Sequence, residues 1–264
     1  MTDFTEQDLG GASFRRVDLS GATFREARLT DALLHDVDLS RTRIRAAYLD
    51  GVRMTGVEVA DLEIYGELGR LVVNGVDVVP LVEAELDRRM PERSLMRPTD
   101  VAGFQRAFEA LDGLWAGTLD TARTLPPDRL HEQVGAEWSF IETLRHLGFA
   151  HACWISGVVL GDPSPWHPLD LPWDEAPAVE GVPWDRDVRP SLEEVLDVRA
   201  TRRATVRSVL DDLDEAGLAR AVSSATPFMS EAQGLTVAQC LTVVLNEEWE
   251  HRLYAERDLA ALGG

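Results

Sequence analysis

The chain has 264 residues, 45% of them hydrophobic, and a formal net charge of −20 at neutral pH. This length allows one large domain or two ordinary ones, and the negative charge argues against direct nucleic-acid binding because such a surface repels phosphate backbones. Two cysteines in a chain of this length argue against a disulfide framework. The opening MTDFTEQDLGG lacks the apolar core of a signal peptide, and no apolar run is long enough to span a bilayer, so we expect a cytoplasmic protein.

The N-terminal part repeats with a period of five residues. Its large apolar residues are spaced five apart: Phe4, Leu9, Phe14, Leu19, Phe24, Leu29, Leu34, Leu39, Ile44, Leu49, Met54, Val59 and Ile64. A small or apolar residue stands two positions before nearly every one of them. Neither a helix nor a strand repeats every five residues, whereas a solenoid with one face per five residues does.

Stretches such as GASFRRVDLSGATF closely resemble the pentapeptide-repeat family over residues 4–66. The resemblance implies a short right-handed four-sided β-helix, assigned to residues 1–66, that acts as a scaffold or interaction surface. Some long members of that family mimic DNA and bind topoisomerases. We rank that role last here because the repeat is short and residues 1–98 carry a net charge of only −5.

Residues 67–98 break the five-residue period and are predicted to form a linker with one short helix. Pro80 suits the first turn of a helix whose apolar positions are Leu81, Val82 and Leu86. Pro91 and Pro98 are expected to end this helix and to mark the linker.

Residues 99–264 show helical patterning and predict a four-helix bundle. The first helix is expected from about Thr99 to Leu125. The other three begin at capping boxes, in which the residue three positions after the first reaches back to it. These boxes are Ser139 with Glu142, Ser191 with Glu194, and Thr236 with Gln239.

The second and third helices are joined by about thirty residues rich in proline and tryptophan, residues 161–190. A connection this long inside a compact domain is usually a lid, a binding loop or a disordered insert. Because it carries Trp166, Trp173 and Trp184, we expect it to fold back on the bundle, either as a structured flap or as a substrate-binding lid.

Glu247 and His251 lie one helical turn apart in LNEEWEHRLYAERDL and can therefore reach one ion. His146 lies on the apolar face of the second helix and is a candidate third ligand, whereas His151 should face elsewhere. Each feature also has a plainer explanation: a buried histidine in the core, and an exposed Glu–His pair on a helix surface.

The stretches WSFIETLRHLGFAHACW and EEWEHR resemble the second and fourth helices of DinB-like proteins, over about residues 99–262. The resemblance implies an up-down-down-up bundle that holds a divalent metal ion through His146, Glu247 and His251. Glu247 departs from the family pattern, which has histidine there. Two histidines and a carboxylate suit Zn, Ni, Mn or Fe(II), and Zn is our first expectation.

The resemblance further implies a metal-dependent enzyme, since relatives use the ion to activate a low-molecular-weight thiol for transfer or isomerisation of a small-molecule substrate. The composition is compatible with an actinobacterial source, in which the thiol would be mycothiol. Glu248 and Tyr254 are candidates for proton transfer. The rival hypothesis is a non-enzymatic, metal-stabilised interaction protein without nucleic-acid or membrane contacts, in which the solenoid mediates homo-oligomer formation or binds a protein partner.

The two cysteines are predicted to be structural. Cys153 lies seven residues after His146, and Cys240 lies seven before Glu247. With antiparallel helices, as the resemblance implies, both thiols should occupy one core layer about 10 Å from the ion, too far for ligation.

Overall fold

The computed structural model describes every residue except 1–3, 5, 26, 45, 46, 136, 175, 224–231 and 233. The chain divides into two compact units, Met1–Tyr65 and Gly66–Gly264. Within the described part of the chain, no helix is long and apolar enough to cross a membrane.

The first unit keeps the five-residue period in its backbone. Left-handed φ angles recur at residues 6, 11, 16, 21, 31, 36, 41, 51 and 56. Tight turns are closed by backbone hydrogen bonds such as Ala12 N to Leu9 O and Ala22 N to Leu19 O, each 2.9 Å long. Positions 26 and 46 of the same series lie outside the described residues. A repeated turn therefore accounts for the sequence period.

The apolar residues of this period are exposed in the described structure. Phe14 and Phe24, for example, have 57% and 63% of their surface exposed. The described residues of the unit form turns and bends without a strand. A four-sided β-helix would bury these side chains between stacked coils, so that architecture stays a prediction.

The second unit begins with a β-hairpin that the sequence analysis missed. β1 (Val72–Val73) pairs antiparallel with β2 (Val76–Asp77). Asn74 and Gly75 between them have φ angles of +49° and +86°. Positive φ at both central residues is the mirror-image turn that joins two-residue hairpins, and Asn-Gly is its usual sequence. The Asn74-Gly75 dipeptide therefore indicates a hairpin from the sequence alone.

Helix α1 (Val79–Arg89) has Pro80 in its first turn, as predicted. Its predicted apolar face was wrong at Leu81 and Val82, which are exposed. The inward side of α1 carries acids instead: Glu83 Oε2 and Asp87 Oδ1 accept from Arg93 at 2.7 and 2.9 Å. Ion pairs rather than apolar contacts therefore hold this face.

A 3-10 helix, Pro91–Met96, follows α1 and joins it to the bundle. Met96 is buried in the bundle core at 4% exposure. The segment 67–98 thus lies in the same compact unit as the helices that follow it.

Four long helices form the bundle: α2 (Val101–Ala122), α3 (Phe140–His151), α4 (Leu192–Asp211) and α6 (Val237–Gly263). A short helix, α5 (Glu215–Leu218), precedes α6, and a 3-10 helix, Pro127–His131, precedes α3. All three predicted capping boxes are present at α3, α4 and α6, so those helix starts are confirmed. Asp100 caps α2 through a hydrogen bond from Gly103 N. Beyond α3 the chain continues as a π-helical segment, Ala152–Val159.

Two apolar clusters fix the helix directions. One contains the first half of α2, the π-helical segment, the end of α4 and the first half of α6. The other contains the second half of α2, the first half of α3, the start of α4 and the end of α6. Accordingly α2 and α6 run one way, and α3 and α4 run the other way.

The connection between the π-helical segment and α4 folds back on the bundle, as predicted. Arg145 on α3 donates from Nε to Leu169 O at 2.8 Å and from Nη2 to Asp185 O at 2.5 Å. Trp166 stacks on Phe149 with ring centroids 5.3 Å apart. The connection is therefore fixed over the face of α3 that carries His146.

Candidate metal centre

Three predicted ligands converge between α3 and α6. One donor atom from each of His146, Glu247 and His251 lies within 4.8 Å of the others. Glu247 Oε2 is 3.4 Å from His146 Nε2 and 3.3 Å from His251 Nδ1. We call these three residues the donor set. Three convergent N and O donors on two facing helices are the arrangement that a divalent ion requires.

Backbone carbonyls orient both histidine rings. His146 Nδ1 contacts Leu171 O at 3.0 Å, and His251 Nδ1 contacts Glu247 O at 2.9 Å. A carbonyl oxygen only accepts, so each neutral ring carries its proton on Nδ1 and keeps a lone pair on Nε2. Such a second contact is what fixes the tautomer of a metal-binding histidine.

Glu247 carries a buried oxygen that the protein leaves unsatisfied. Its Oε2 has no hydrogen bond from any of the described residues. Burial raises the pKa of Glu247, but the proximity of His146 and His251 lowers it more, so the net shift is downward. A buried carboxylate oxygen without a partner is costly, and a cation would satisfy it.

His251 is suited to ligation because its environment keeps it neutral. Burial and the nearby His146 lower the pKa of His251, although Glu247 raises it. The side chains of His146, Glu247 and His251 are 9%, 31% and 19% exposed. The donor set is therefore reachable from solvent, as a site that binds a small molecule must be.

The ring of Trp138 lies beside the donor set. The Trp138 ring lies 4.5 Å from that of His146 and 5.9 Å from that of His251. Trp138 directly precedes the capping residue of α3, and its Nε1 donates to Asp174 Oδ1 at 2.9 Å. Sequence reasoning missed Trp138, although its position beside a capping box predicts a fixed location at the helix start.

Glu248, a predicted proton-transfer candidate, lies on another side of α6 and is fully buried. It accepts from Arg199 Nη2 at 2.6 Å, and its Oε1 lies 2.7 Å from His151 Nε2. Burial raises the pKa of Glu248, but Arg199 and the hydrogen bond with His151 lower it far more. We call His151 and Glu248 the buried pair. Because its carboxylate is held by these partners, the structure does not place Glu248 at the donor set.

Tyr254, the second candidate, lies beside the donor set. Its ring meets that of His251 edge-on at 6.0 Å, and the residue is 39% exposed. Burial and the neighbouring Glu250 raise the pKa of Tyr254, so the phenol keeps its proton at neutral pH. It can therefore donate a hydrogen bond or a proton at the rim.

Both cysteines are buried and free. Burial raises the pKa of Cys153 to about 12, with a contribution from the nearby Cys240, and raises that of Cys240 to about 11. Both thiols are protonated at neutral pH. They are poor nucleophiles and are not in the donor set.

Comparison with known families gave two matches. The family model described as DinB superfamily matches residues 110–255, which is more than half of the chain. The model described as pentapeptide repeats matches eight copies within residues 2–36 and 19–56. Comparison with curated proteins and with solved structures found no match. The two resemblances drawn from the sequence are confirmed.

Proposed function

Since this chain belongs to the DinB superfamily, we propose that its helical unit is a divalent-metal-dependent enzyme that uses a low-molecular-weight thiol as cosubstrate. Transfer or isomerisation of a small molecule is the reaction type. The observation that carries the proposal is the buried Glu247 Oε2, which faces two oriented histidines and lacks a hydrogen-bond partner among the described residues. What distinguishes this atom is that it is a carboxylate oxygen facing two imidazoles, which is the donor chemistry of a divalent-cation site.

His146, Glu247 and His251 would hold the ion. A set of two imidazoles and one carboxylate is compatible with Zn, our first expectation, and with Ni, Mn or Fe(II). When bound, such an ion lowers the pKa of a thiol or water at its open position and polarises a substrate oxygen.

The protein's own residues supply orientation, shielding and a proton. Leu171 O and Glu247 O hold the two histidine rings with Nε2 free. Trp138 covers both rings and limits access of water. Tyr254 holds a proton at the rim and is our candidate donor. Because Cys153 and Cys240 are buried and protonated, the reacting thiol must come from outside, with mycothiol as one candidate.

The second candidate function is a metal-stabilised interaction protein. Its support is the row of exposed apolar side chains in the first unit, such as Phe14 and Phe24. Stacking of coils into a four-sided β-helix would bury these side chains within the chain. Pairing with a second copy or another protein would bury those that remain outside. The net charge of −20 disfavours nucleic acids and anionic membranes as partners. A cytoplasmic location fits the proposed cosubstrate, because thiols stay reduced there.

Metal analysis of the purified chain followed by a thiol-transfer assay separates the two functions. We expect a stoichiometric ion. We also expect the protein to conjugate mycothiol or glutathione to an electrophilic test substrate, and we expect a chelator to abolish this activity and added zinc to restore it. His251→Ala should behave like the chelated protein. A stoichiometric ion without thiol chemistry for either thiol would favour the interaction protein. Absence of any ion would refute both.

A further inference from the structure

A polar cavity of about 340 Å³ lies between the start of α3 and the end of the long connection. This volume is within the range of small-ligand sites. We call it the basic cavity. Its polar and charged lining includes His131, Ser139, Glu142, Arg145, Arg186 and Arg189. None of these residues belongs to the donor set.

The charge of the basic cavity contrasts with that of the chain. Three arginines line it, in a protein with a net charge of −20. Glu142 is the one carboxylate among the lining residues, and it is already engaged. Its Oε2 accepts from Ser139 N at 2.8 Å and from Gln133 Nε2 at 3.2 Å. Among the residues that line the cavity the arginines outnumber the carboxylates, although Asp174 pairs with Arg186 from outside the lining.

Arg145 forms the fixed part of the cavity. It is buried at 2% exposure, and its hydrogen bonds go to the carbonyl oxygens of Leu169, Asp185 and Val188. Carbonyls satisfy the guanidinium donors but do not neutralise the charge. The positive charge of Arg145 therefore attracts an anion in the adjacent cavity.

The other basic side chains are less confined. Arg186 pairs with Asp174 at 2.7 Å and is 29% exposed, and Arg189 is exposed at the rim. His131 and Arg189 line the same cavity, and burial and then the Arg189 charge lower the pKa of His131. Arg189 and a neutral His131 are thus positioned to meet a ligand that enters from solvent.

We propose that the basic cavity binds the oxyanion of a small ligand, a carboxylate or a phosphate group. Arg145 and Arg186 already hold other partners, so Arg189 is the arginine that presents its guanidinium fork at the rim. That fork matches both groups by paired hydrogen bonds, and charge-assisted bonds are the stronger kind. Ile141 and Val188 are the apolar members of a lining that is otherwise polar or charged, which favours a polar ligand. The binding site is separate from the donor set and does not depend on a metal ion.

Isothermal titration calorimetry of the full chain at low salt, with succinate and separately with inorganic phosphate, tests the proposal. We expect saturable binding of at least one anion, and which one binds identifies the ligand chemistry. Arg189→Gln should weaken that binding at least about tenfold through loss of a charge-assisted contact. Arg207→Gln is the matched control, because it removes the same charge from an exposed arginine paired with Asp112 outside the cavity, and it should change affinity less than about twofold.

A second variant separates the cavity from the donor set. His251→Ala should bind the same anion as well as the parent protein, because the basic cavity does not use that residue. Loss of binding in His251→Ala would place the anion at the metal centre and overturn the proposal. No saturable binding of either anion, or equal weakening by Arg189→Gln and Arg207→Gln, would overturn it as well.

Discussion

Two His–Glu pairs join α3 to α6, and their surroundings differ. In the buried pair, Glu248 is neutralised by Arg199 at 2.6 Å, and His151 lies 2.7 Å from it. In the donor set, Glu247 directly precedes Glu248 in the chain, yet among the described residues it pairs only with the rings of His146 and His251. Its Oε2 lacks a hydrogen bond within the described structure.

Glu247 and Glu248 are adjacent in the chain, and the side chains around each of them determine their different roles. Arg199 stacks on Trp115 at 4.5 Å and supplies a permanent charge to Glu248, although His151 Nδ1 has no hydrogen-bond partner within the described structure. Within the described structure Glu247 pairs with no arginine, and we propose that a cation completes it. An arginine beside a buried carboxylate is the arrangement of a structural ion pair, whereas the proposed metal site rests on a carboxylate beside two oriented histidines.

The largest expected effect is on stability, and it should distinguish the two carboxylates. Glu248→Gln should lower the free energy of unfolding by about 3–5 kcal/mol, because it leaves the buried Arg199 charge without its counter-ion. Glu247→Gln should change it by less than about 1 kcal/mol in chelated protein, since it leaves no buried arginine without a counter-ion. Urea unfolding of both variants measures the contrast. Equal losses of unfolding free energy in the two variants would mean that Glu247 and Glu248 contribute equally to stability, which contradicts the contrast drawn above.

The pH dependence of stability tests the buried pair in another way. Burial lowers the pKa of His151 in the folded protein, while the unfolded chain takes up a proton near the ordinary value of about 6.5. The unfolded state therefore binds more protons, and stability should fall as pH decreases below about 6.5. One histidine contributes up to about 1.4 kcal/mol per pH unit in this window.

His151→Gln should reduce that slope, because glutamine does not titrate and can still donate to Glu248. His251, whose pKa is also lowered by burial, should account for part of the remaining slope in chelated protein. Glu248 acts in the same direction at lower pH: its lowered pKa stabilises the fold above about 4.5, and that contribution is lost as pH falls further. A parent protein whose stability is flat between pH 7.5 and 5 would contradict these assignments.

A smaller effect concerns zinc affinity. Glu247→His should tighten zinc binding by about tenfold, because imidazole replaces a harder oxygen donor. Competition with a chromogenic chelator measures the change. Glu250→His on the same helix is the matched control and should leave affinity unchanged, since Glu250 is outside the donor set. Unchanged affinity in Glu247→His would show that residue 247 does not touch the ion.

The smallest effect concerns the cysteines. Replacing Cys153 and Cys240 by alanine should cost about 1 kcal/mol each through lost packing, since both are buried. Metal content should stay the same because neither thiol belongs to the donor set. Thermal unfolding and metal analysis of the double variant check both parts. A drop in metal content would assign a thiol to the ion.

Local signals in the sequence predicted much of this fold. The capping boxes at Ser139, Ser191 and Thr236 fixed three helix starts, because a cap depends on residues three positions apart. The one-turn spacing of Glu247 and His251 placed both on one face. The third ligand, His146, came from the family resemblance together with its place on an apolar face.

Contacts between distant residues could not be predicted. Arg199 reaches Glu248 across 49 positions, and Leu171 O holds His146 across 25. These partners depend on helix rotation and on the course of the long connection, which no short-range pattern encodes. For this reason Glu248 was a candidate for proton transfer although it belongs to the buried pair. The exposed Leu81 and Val82 reflect the same limit, since α1 meets its neighbours through ion pairs.

The metal content of purified protein tests the central claim, that the donor set holds an ion and the buried pair does not. The parent chain, His251→Ala and His151→Gln should be purified side by side and analysed by mass spectrometry for bound metal. We expect about one ion per chain in the parent and in His151→Gln, and almost none in His251→Ala, because two remaining donors lose the chelate. Undiminished metal in His251→Ala, or its loss in His151→Gln alone, would contradict the claim.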